Sequence, residues 1–116
     1  MGQWHDVIEE LRAPSRALRD AVPDAWSGHL RVGAGAMADG AVPRRIKEAA
    51  ALAMAAVKHC DGCIAYHARG AVQAGASREE VAELLGVALL MDGGPAAVYG
   101  PRALEAFDEF AADKSG

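Results

Sequence analysis

The sequence has few aromatic residues, little excess charge and no long apolar run, and each shortage excludes a class of protein. Aromatic residues make up 5% of the 116 residues, whereas alanine, which favours helices and is depleted in strands, occurs 27 times. This composition excludes an all-β sandwich. The longest apolar run, residues 49–57, is far shorter than the ~20 residues that a membrane-spanning helix needs, so no membrane partner is expected.

The charge balance is mildly acidic, with 12 basic and 16 acidic residues and a net charge of −4. Binding to nucleic acid needs a basic face that neutralises phosphates, so nucleic acid is not an expected partner. The first residues lack the apolar segment of a signal peptide, and we expect a cytoplasmic protein. Because cytoplasmic thiols stay reduced, the chain's two cysteines favour catalysis or metal binding over a structural disulfide.

Apolar residues recur at helical spacing, and prolines and glycines divide the chain into about six helices. The pattern predicts one all-α domain, residues 1–116, folded as a compact helical bundle. Ser77 and Glu80 have the spacing of a capping box, and Gly75 is a typical helix stop. With the first helix divided in two by Pro14, the predicted segments are residues 4–11, a short helix from Pro14 through Leu18 and Val22, then residues 23–37, 43–59, 63–74, 78–92 and 95–112.

The same spacing predicts the core. Trp4 and Trp26 are expected in the core or in a subunit contact. Alanine-rich helices have little bulk with which to fill a monomer core, so we expect a homo-oligomer. The residues predicted to face inward on the two longest predicted helices are Ile46, Ala49, Ala50, Ala53, Met54 and Val57 on one, and Val98, Leu104, Phe107 and Phe110 on the other.

Cys60 and Cys63 form a Cys-x-x-Cys pair at a predicted helix start. Unpaired N–H groups there favour a thiolate, and the spacing lets the two sulfurs close a disulfide. His67 lies four residues after Cys63 on the same helix face, where an imidazole can take the thiol proton. Glu48 lies in an otherwise apolar stretch and, if buried, needs a partner such as His67. Together these residues can supply a nucleophile, a resolving thiol, a base and its orienting group.

Taken alone, these residues have simpler interpretations. His67 can be a partly exposed helix residue, and Glu48 can be solvated beside Lys47. The helix end favours Cys60 as the nucleophile, whereas the face shared with His67 favours Cys63, which we adopt. The groups expected to be solvated at the helix end are Lys58, His59 and Asp61.

The spacing Glu48-x11-Cys60-x2-Cys63-x3-His67 resembles the signature of the alkylhydroperoxidase D-like branch of the carboxymuconolactone decarboxylase family. The resemblance extends over about residues 25–110 and includes the turn at residues 93–96. It implies an all-helical homotrimer or homohexamer that reduces small hydroperoxides through a sulfenic acid and then a disulfide. A dithiol donor, a lipoyl or thioredoxin-like protein, would regenerate the thiols. The decarboxylase branch lacks the cysteine pair, so ring-opening lactone chemistry is not expected.

One position departs from this family pattern. Redox members can carry a histidine just before the second cysteine, where this chain has Gly62, and His59 lies on the other side of Cys60. If that histidine tunes the site, a slower or differently targeted peroxidase is expected.

The leading hypothesis is therefore a thiol-dependent peroxide reductase without a cofactor. In it Cys63 attacks the peroxide, Cys60 resolves the sulfenic acid, His67 accepts the thiol proton and Glu48 orients His67. The alternatives are a general thiol-disulfide oxidoreductase, a zinc module held by these four residues, and a non-catalytic oligomeric module.

Overall fold

Six α-helices make up the chain in a computed structural model, which describes residues 2–115. Within those residues there is no β-strand, and the all-α prediction is confirmed. The helices are α1 (Gln3–Ala21), α2 (Pro23–Met37), α3 (Arg44–Val57), α4 (Asp61–Ala74), α5 (Arg78–Asp92) and α6 (Gly94–Ser115).

The turn between α4 and α5 has the predicted caps. Gly75 adopts the left-handed conformation, with φ of 89°, that ends many helices. The Ser77 hydroxyl accepts the Glu80 N–H at 3.0 Å, and the Glu80 carboxylate accepts the Ser77 N–H at 2.9 Å. That N–H bond holds the pKa of Glu80 below its usual value, against a small opposing effect of burial.

Pro14 does not divide the first helix, and the prediction of two short helices there is wrong. It lies inside α1, which continues to Ala21. Proline removes one helical hydrogen bond, whose acceptor would be the Glu10 carbonyl. Glu10 and Pro14 are both exposed, so water can bind that carbonyl and the helix tolerates the loss.

The core lies where α3 and α4 pack against each other and against α5 and α6. Its side chains on α3 and α4 are mostly alanine, which lets helix axes approach closely. Larger side chains also contribute to the core, and Trp4 of α1 is fully buried. Trp26, by contrast, is only half-buried. The core residues are Trp4, Ile8, Ala49, Leu52, Ala53, Ala55, Ala56, Ile64, Ala65, Ala68, Ala71, Val72, Ala76, Val81, Leu85, Ala88, Ala96, Ala103, Ala106, Phe107 and Phe110.

Three residues predicted to face inward are exposed, and for these the prediction is wrong. Met54 and Val98 are 66% and 62% exposed, and Val57 is also exposed. On α3 nearly every face carries alanine, so the apolar pattern does not show which stripe packs on α4. Met54 and Val57 instead line an apolar groove of about 400 Å³ between α3 and α5, which we call the α3–α5 groove.

Helix α2 extends from the body of the molecule. It has no buried residue and contacts only α1 and α3. The radius of gyration is 14.3 Å, slightly above the ~13 Å expected for a globule of this length. None of the helices within residues 2–115 combines the length and apolarity needed to cross a bilayer.

The start of α1 is fastened to α6 by one carboxylate. Glu109 accepts the backbone N–H groups of Trp4 at 3.1 Å and His5 at 2.7 Å, and its oxygen also meets the His5 ring. The other ring nitrogen of His5 lies 2.7 Å from Asp113. The hydrogen bond to Asp113, and then that to Glu109, raises the pKa of His5 although burial opposes the rise. Burial also acts to raise the pKa of Glu109, but the N–H bonds outweigh it and the pKa is lowered.

Candidate active site

Cys60 belongs to the end of α3 and to the start of α4 at once. His59 adopts the left-handed conformation with φ of 55°, and its N–H donates to the Ala56 carbonyl at 3.2 Å. The Cys60 N–H donates to the Ala55 carbonyl at 3.2 Å, which completes a Schellman turn. The turn places Cys60 as the N-cap of α4, whose first residue is Asp61 rather than the predicted Cys63.

The two cysteines form a disulfide, with Cα atoms 5.2 Å apart. The backbone N–H of Cys63 donates to Cys60 Sγ at 3.2 Å, so the sulfur takes the capping position of a side-chain oxygen. Cys63 is exposed, whereas Cys60 is half-buried. The helix N-terminus and this N–H bond both favour a thiolate on Cys60, and the exposed Cys63 is the more accessible sulfur.

Gly62, between the cysteines, lies against α1. A Cβ atom at this position would approach Leu11 Cδ1 to 3.1 Å, so a larger side chain would force Leu11 to shift. A histidine here, as in the family pattern that the sequence resembles, would require the end of the Leu11 side chain to move aside. This contact gives a physical reason for the departure at Gly62.

Glu48 and His67 form a hydrogen-bonded pair beside the cysteines. Glu48, on α3, is only 5% exposed, and its Oε1 lies 2.7 Å from His67 Nδ1 on α4. A carboxylate can only accept, so Nδ1 carries the proton and Nε2 of a neutral His67 is left as the basic nitrogen. His67 is half-buried and follows Cys63 by one helical turn, on the same face of α4. Cys60 thus lies at the start of α4, Cys63 and His67 lie on one face of that helix, and Glu48 reaches it from α3 through its bond to His67.

Gly70 makes room for the Glu48 carboxylate, and the sequence prediction did not include it among the site residues. A Cβ at Gly70 would lie 2.6 Å from Glu48 Oε2, which no real contact allows. Arg44 extends towards the same oxygen, with Nη2 at 3.7 Å. The available signal was a glycine three residues after His67 inside a predicted helix, where it costs about 1 kcal/mol relative to alanine.

A small polar cleft opens beside this carboxylate. It has a volume of about 330 Å³ and is lined by Arg44, Gly70, Gln73 and Ala74. Gly70 continues the helix face that carries Cys63 and His67, so the cleft lies at the far end of that face.

The groups expected to be solvated beside Cys60, which are Lys58, His59 and Asp61, are exposed as predicted, but two of them also have partners on other helices. His59 stacks on Tyr99, with ring centres 4.4 Å apart, and its Nε2 lies 3.7 Å from Asp92. Asp61 accepts a hydrogen bond from Arg102 Nη2 at 2.9 Å. Both partners that α6 supplies are distant in sequence, so helical spacing gave no signal for them.

A zinc centre does not fit the arrangement of these side chains. Within residues 2–115 no group of three or more His, Cys, Asp or Glu side chains is arranged to hold a metal ion. In this arrangement Glu48 Oε1 is bonded to His67 rather than presented as a fourth ligand, and the two sulfurs are bonded to each other.

Comparisons with known proteins agree with this fold. The model of the carboxymuconolactone decarboxylase family matches residues 23–109. The crystal structure of an apo carboxymuconolactone decarboxylase family protein from Legionella pneumophila is similar with a TM-score of 0.90 and 36% identity, over 94% of this chain and 97% of that one. An uncharacterized protein of Cupriavidus necator is 39% identical over 101 residues, or 87% of this chain and 89% of its own length. Uncharacterized protein 4 in the cox locus of Paracoccus denitrificans is 40% identical over 72 residues, or 62% of this chain and 65% of its own.

Proposed function

The chain belongs to the carboxymuconolactone decarboxylase family, which includes alkylhydroperoxidase-like members, and we propose that it is a thiol-dependent peroxide reductase of that kind. One observation carries the proposal: a Cys-x-x-Cys pair at the start of α4 lies on the same helix as a histidine that a buried carboxylate holds at 2.7 Å. The same arrangement disfavours lactone decarboxylation, which has no use for a redox-active disulfide.

The reaction begins with the reduced pair and a small hydroperoxide. His67 Nε2 takes the proton of the Cys63 thiol, and the thiolate attacks the terminal peroxide oxygen. The O–O bond breaks, Cys63 becomes a sulfenic acid, and the alkoxide takes the proton from His67 and leaves as an alcohol. The Cys60 thiol then attacks the Cys63 sulfur, which forms the disulfide and releases water.

The exposure of the two sulfurs supports this assignment of roles. Cys63 is exposed and can meet both the peroxide and a reducing partner. When a dithiol donor attacks the Cys63 sulfur of the disulfide, Cys60 is the leaving group. The Cys63 N–H that donates to Cys60 Sγ stabilises the thiolate that leaves. A second donor thiol then releases Cys63, and the donor becomes a disulfide.

Trapping of the sulfenic acid tests the roles directly. Peroxide is added to the reduced Cys60→Ser and Cys63→Ser variants in the presence of a reagent specific for sulfenic acids, and the adduct is located by mass spectrometry. Cys60→Ser should accumulate the adduct on Cys63, because no resolving thiol is present. An adduct that forms only on Cys60 in Cys63→Ser would reverse the two roles, and no adduct in either variant would contradict the proposal.

A general thiol-disulfide oxidoreductase is the second candidate, and the disulfide itself favours it. This function needs the cysteine pair but not the base, because the attacking thiol belongs to the donor or substrate. Disulfide exchange that survives His67→Ala, together with peroxide turnover no faster than that of an unstructured dithiol, would favour this candidate. A panel of lipoyl, thioredoxin-like and small-thiol donors would identify the reductant in either case. We propose that the protein acts in the cytoplasm.

We propose that the protein assembles as a homotrimer or homohexamer. Support comes from two apolar surfaces that the chain itself leaves uncovered. One is the α3–α5 groove, whose lining includes the exposed Met91, together with the exposed Leu90 next to it on α5, and the other is α2 with Leu30 and Val32. Exposed apolar surface of this extent on a small chain is typical of a subunit interface.

A further inference from the structure

Asp61 places a negative charge between the two cysteines of the pair. As the first residue of α4 it stabilises the helix N-terminus. The same charge opposes the formation of a thiolate on either neighbouring cysteine, since like charges raise a thiol pKa. A redox site that depends on a thiolate therefore needs something to offset Asp61.

Arg102 of α6 forms an ion pair with Asp61. Its Nη2 donates to Asp61 Oδ1 at 2.9 Å. The guanidinium lies 5.2 Å above the ring of the fully buried Trp4 and 5.5 Å from that of Tyr99. Trp4 is itself fixed by its indole N–H, which donates to Glu105 at 3.1 Å. Arg102 is thus held by two aromatic rings and is not a freely moving surface arginine.

We infer that Arg102 is a positioning residue that tunes the reactivity of the Cys60–Cys63 pair by neutralising Asp61. This role deepens the proposed function and rests on it, since the tuning matters only if the cysteines react. The charged groups around the cysteine pair also include His67 on α4, which is hydrogen-bonded to Glu48.

Other groups face this site from neighbouring elements. His59 precedes Cys60 and lies against Asp92 of α5 and Tyr99 of α6. Helix α1 contributes the apolar contact of Leu11 at Gly62. Arg102 is the cation that pairs with Asp61, and its guanidinium stays protonated at all working pH values; Lys58, two residues before Cys60, is an exposed cation at the end of α3.

The expected shift follows from Coulomb's law. A unit charge on the order of 10 Å from a partly exposed thiolate changes the thiol pKa by about 0.5–1 unit, for effective dielectric constants between those of a protein surface and bulk water. Removal of Arg102 should therefore raise the thiol pKa by that amount, and removal of Asp61 should lower it. Because the pair is partly exposed, both shifts should shrink at high ionic strength.

The test is a titration of thiolate absorbance in the reduced protein, whose two cysteines are its only thiols. The variants are Arg102→Gln, Arg102→Lys, Asp61→Asn and the double variant Arg102→Gln/Asp61→Asn. Arg102→Gln should raise the thiol pKa by about 0.5–1 unit, Asp61→Asn should lower it, and the double variant should return close to wild type. Arg102→Lys, which keeps the positive charge, should leave the thiol pKa close to its wild-type value.

A matched control separates tuning from a structural effect. Arg78 forms a similar ion pair with Asp108 at 2.9 Å, and it follows the C-terminal end of α4, opposite to the cysteines. Arg78→Gln should leave the thiol pKa unchanged. The inference is overturned if folded Arg102→Gln titrates like wild type, or if Asp61→Asn does not reverse its effect. The titration uses no peroxide, so loss of the proposed activity with these shifts intact would overturn the proposed function alone.

Discussion

Replacement of Glu48 by glutamine keeps the shape of the side chain and removes its charge. The carboxylate lies 2.7 Å from His67 Nδ1 and is buried, so its bond to a charged imidazolium is strong. Charge-assisted hydrogen bonds contribute about 1.5–3 kcal/mol, and about 1.36 kcal/mol in the barrier corresponds to a tenfold change in rate. Glu48→Gln should therefore remove most of the stabilisation that His67 receives when it carries the thiol proton, and slow the reaction of Cys63 at neutral pH roughly ten- to a hundredfold.

The assay is the pH dependence of alkylation at Cys63, measured in a Cys60→Ser background so that one thiol reports. His67→Ala should slow alkylation at least as much as Glu48→Gln. The double variant should be little slower than the worse single one, because groups that act as a unit are not additive. Glu83→Gln, which removes an exposed carboxylate of α5, is the matched control and should behave as wild type.

An unchanged thiol pKa in both Glu48→Gln and His67→Ala would refute the relay. The N-terminus of α4 would then be the remaining activator of the thiol.

Three further predictions follow from the packing. Gly70→Ala should displace the Glu48 carboxylate, so it should destabilise the fold by about 1–3 kcal/mol in denaturant unfolding and slow alkylation as Glu48→Gln does. The control is Gly86→Ala, where the added methyl group meets nothing within 4 Å and should stabilise the fold by about 0.5–1 kcal/mol. Because the pKa of His5 is raised, its ion pairs stabilise the fold fully at pH values below the ordinary histidine pKa of 6.5. This contribution, about 0.5–1 kcal/mol, is lost as the pH rises through the raised pKa. The free energy of unfolding of His5→Gln should lack this pH-dependent loss, and equal pH dependence in both proteins would contradict the prediction. Light scattering of the wild-type protein should give a particle larger than a dimer, and Leu90→Glu, which places a charge on an exposed apolar surface, should weaken this assembly. A wild-type particle of 12.0 kDa would contradict the predicted assembly.

The helices could be predicted where local chemistry decides them. The capping box at Ser77 and the stop at Gly75 are properties of adjacent residues, and both are present as predicted. Pro14 was misleading because the effect of a proline depends on whether water can reach the carbonyl that it leaves free. That exposure is set by how α1 lies on the rest of the molecule.

The active-site residues differ in the same way. Cys60, Cys63 and His67 are close in sequence, and a helix with this spacing must place them together. Glu48 was identified because an isolated carboxylate in an alanine-rich helix needs a partner. Arg102 comes from α6, 41 residues after Asp61, and only the tertiary packing of α6 across α4 brings it to the site.

The buried stripe of α3 could not be read from the sequence for another reason. Alanine occurs on most of its faces, so packing against α4 and α5 decides which methyl groups are covered. Met54 looks like a core residue by spacing, yet it lies in the α3–α5 groove and is exposed within one chain.

The most direct test of the central claim is a single turnover without any donor. Fully reduced protein is mixed with one equivalent of an alkyl hydroperoxide, and the alcohol, the free thiols and the protein mass are followed over time. The account predicts one alcohol per chain, loss of both thiols, and a mass lower by about two protons from an intramolecular Cys60–Cys63 disulfide. Peroxide that remains unconsumed while both thiols stay reduced, or thiol loss mainly through disulfides between chains at low protein concentration, would contradict it.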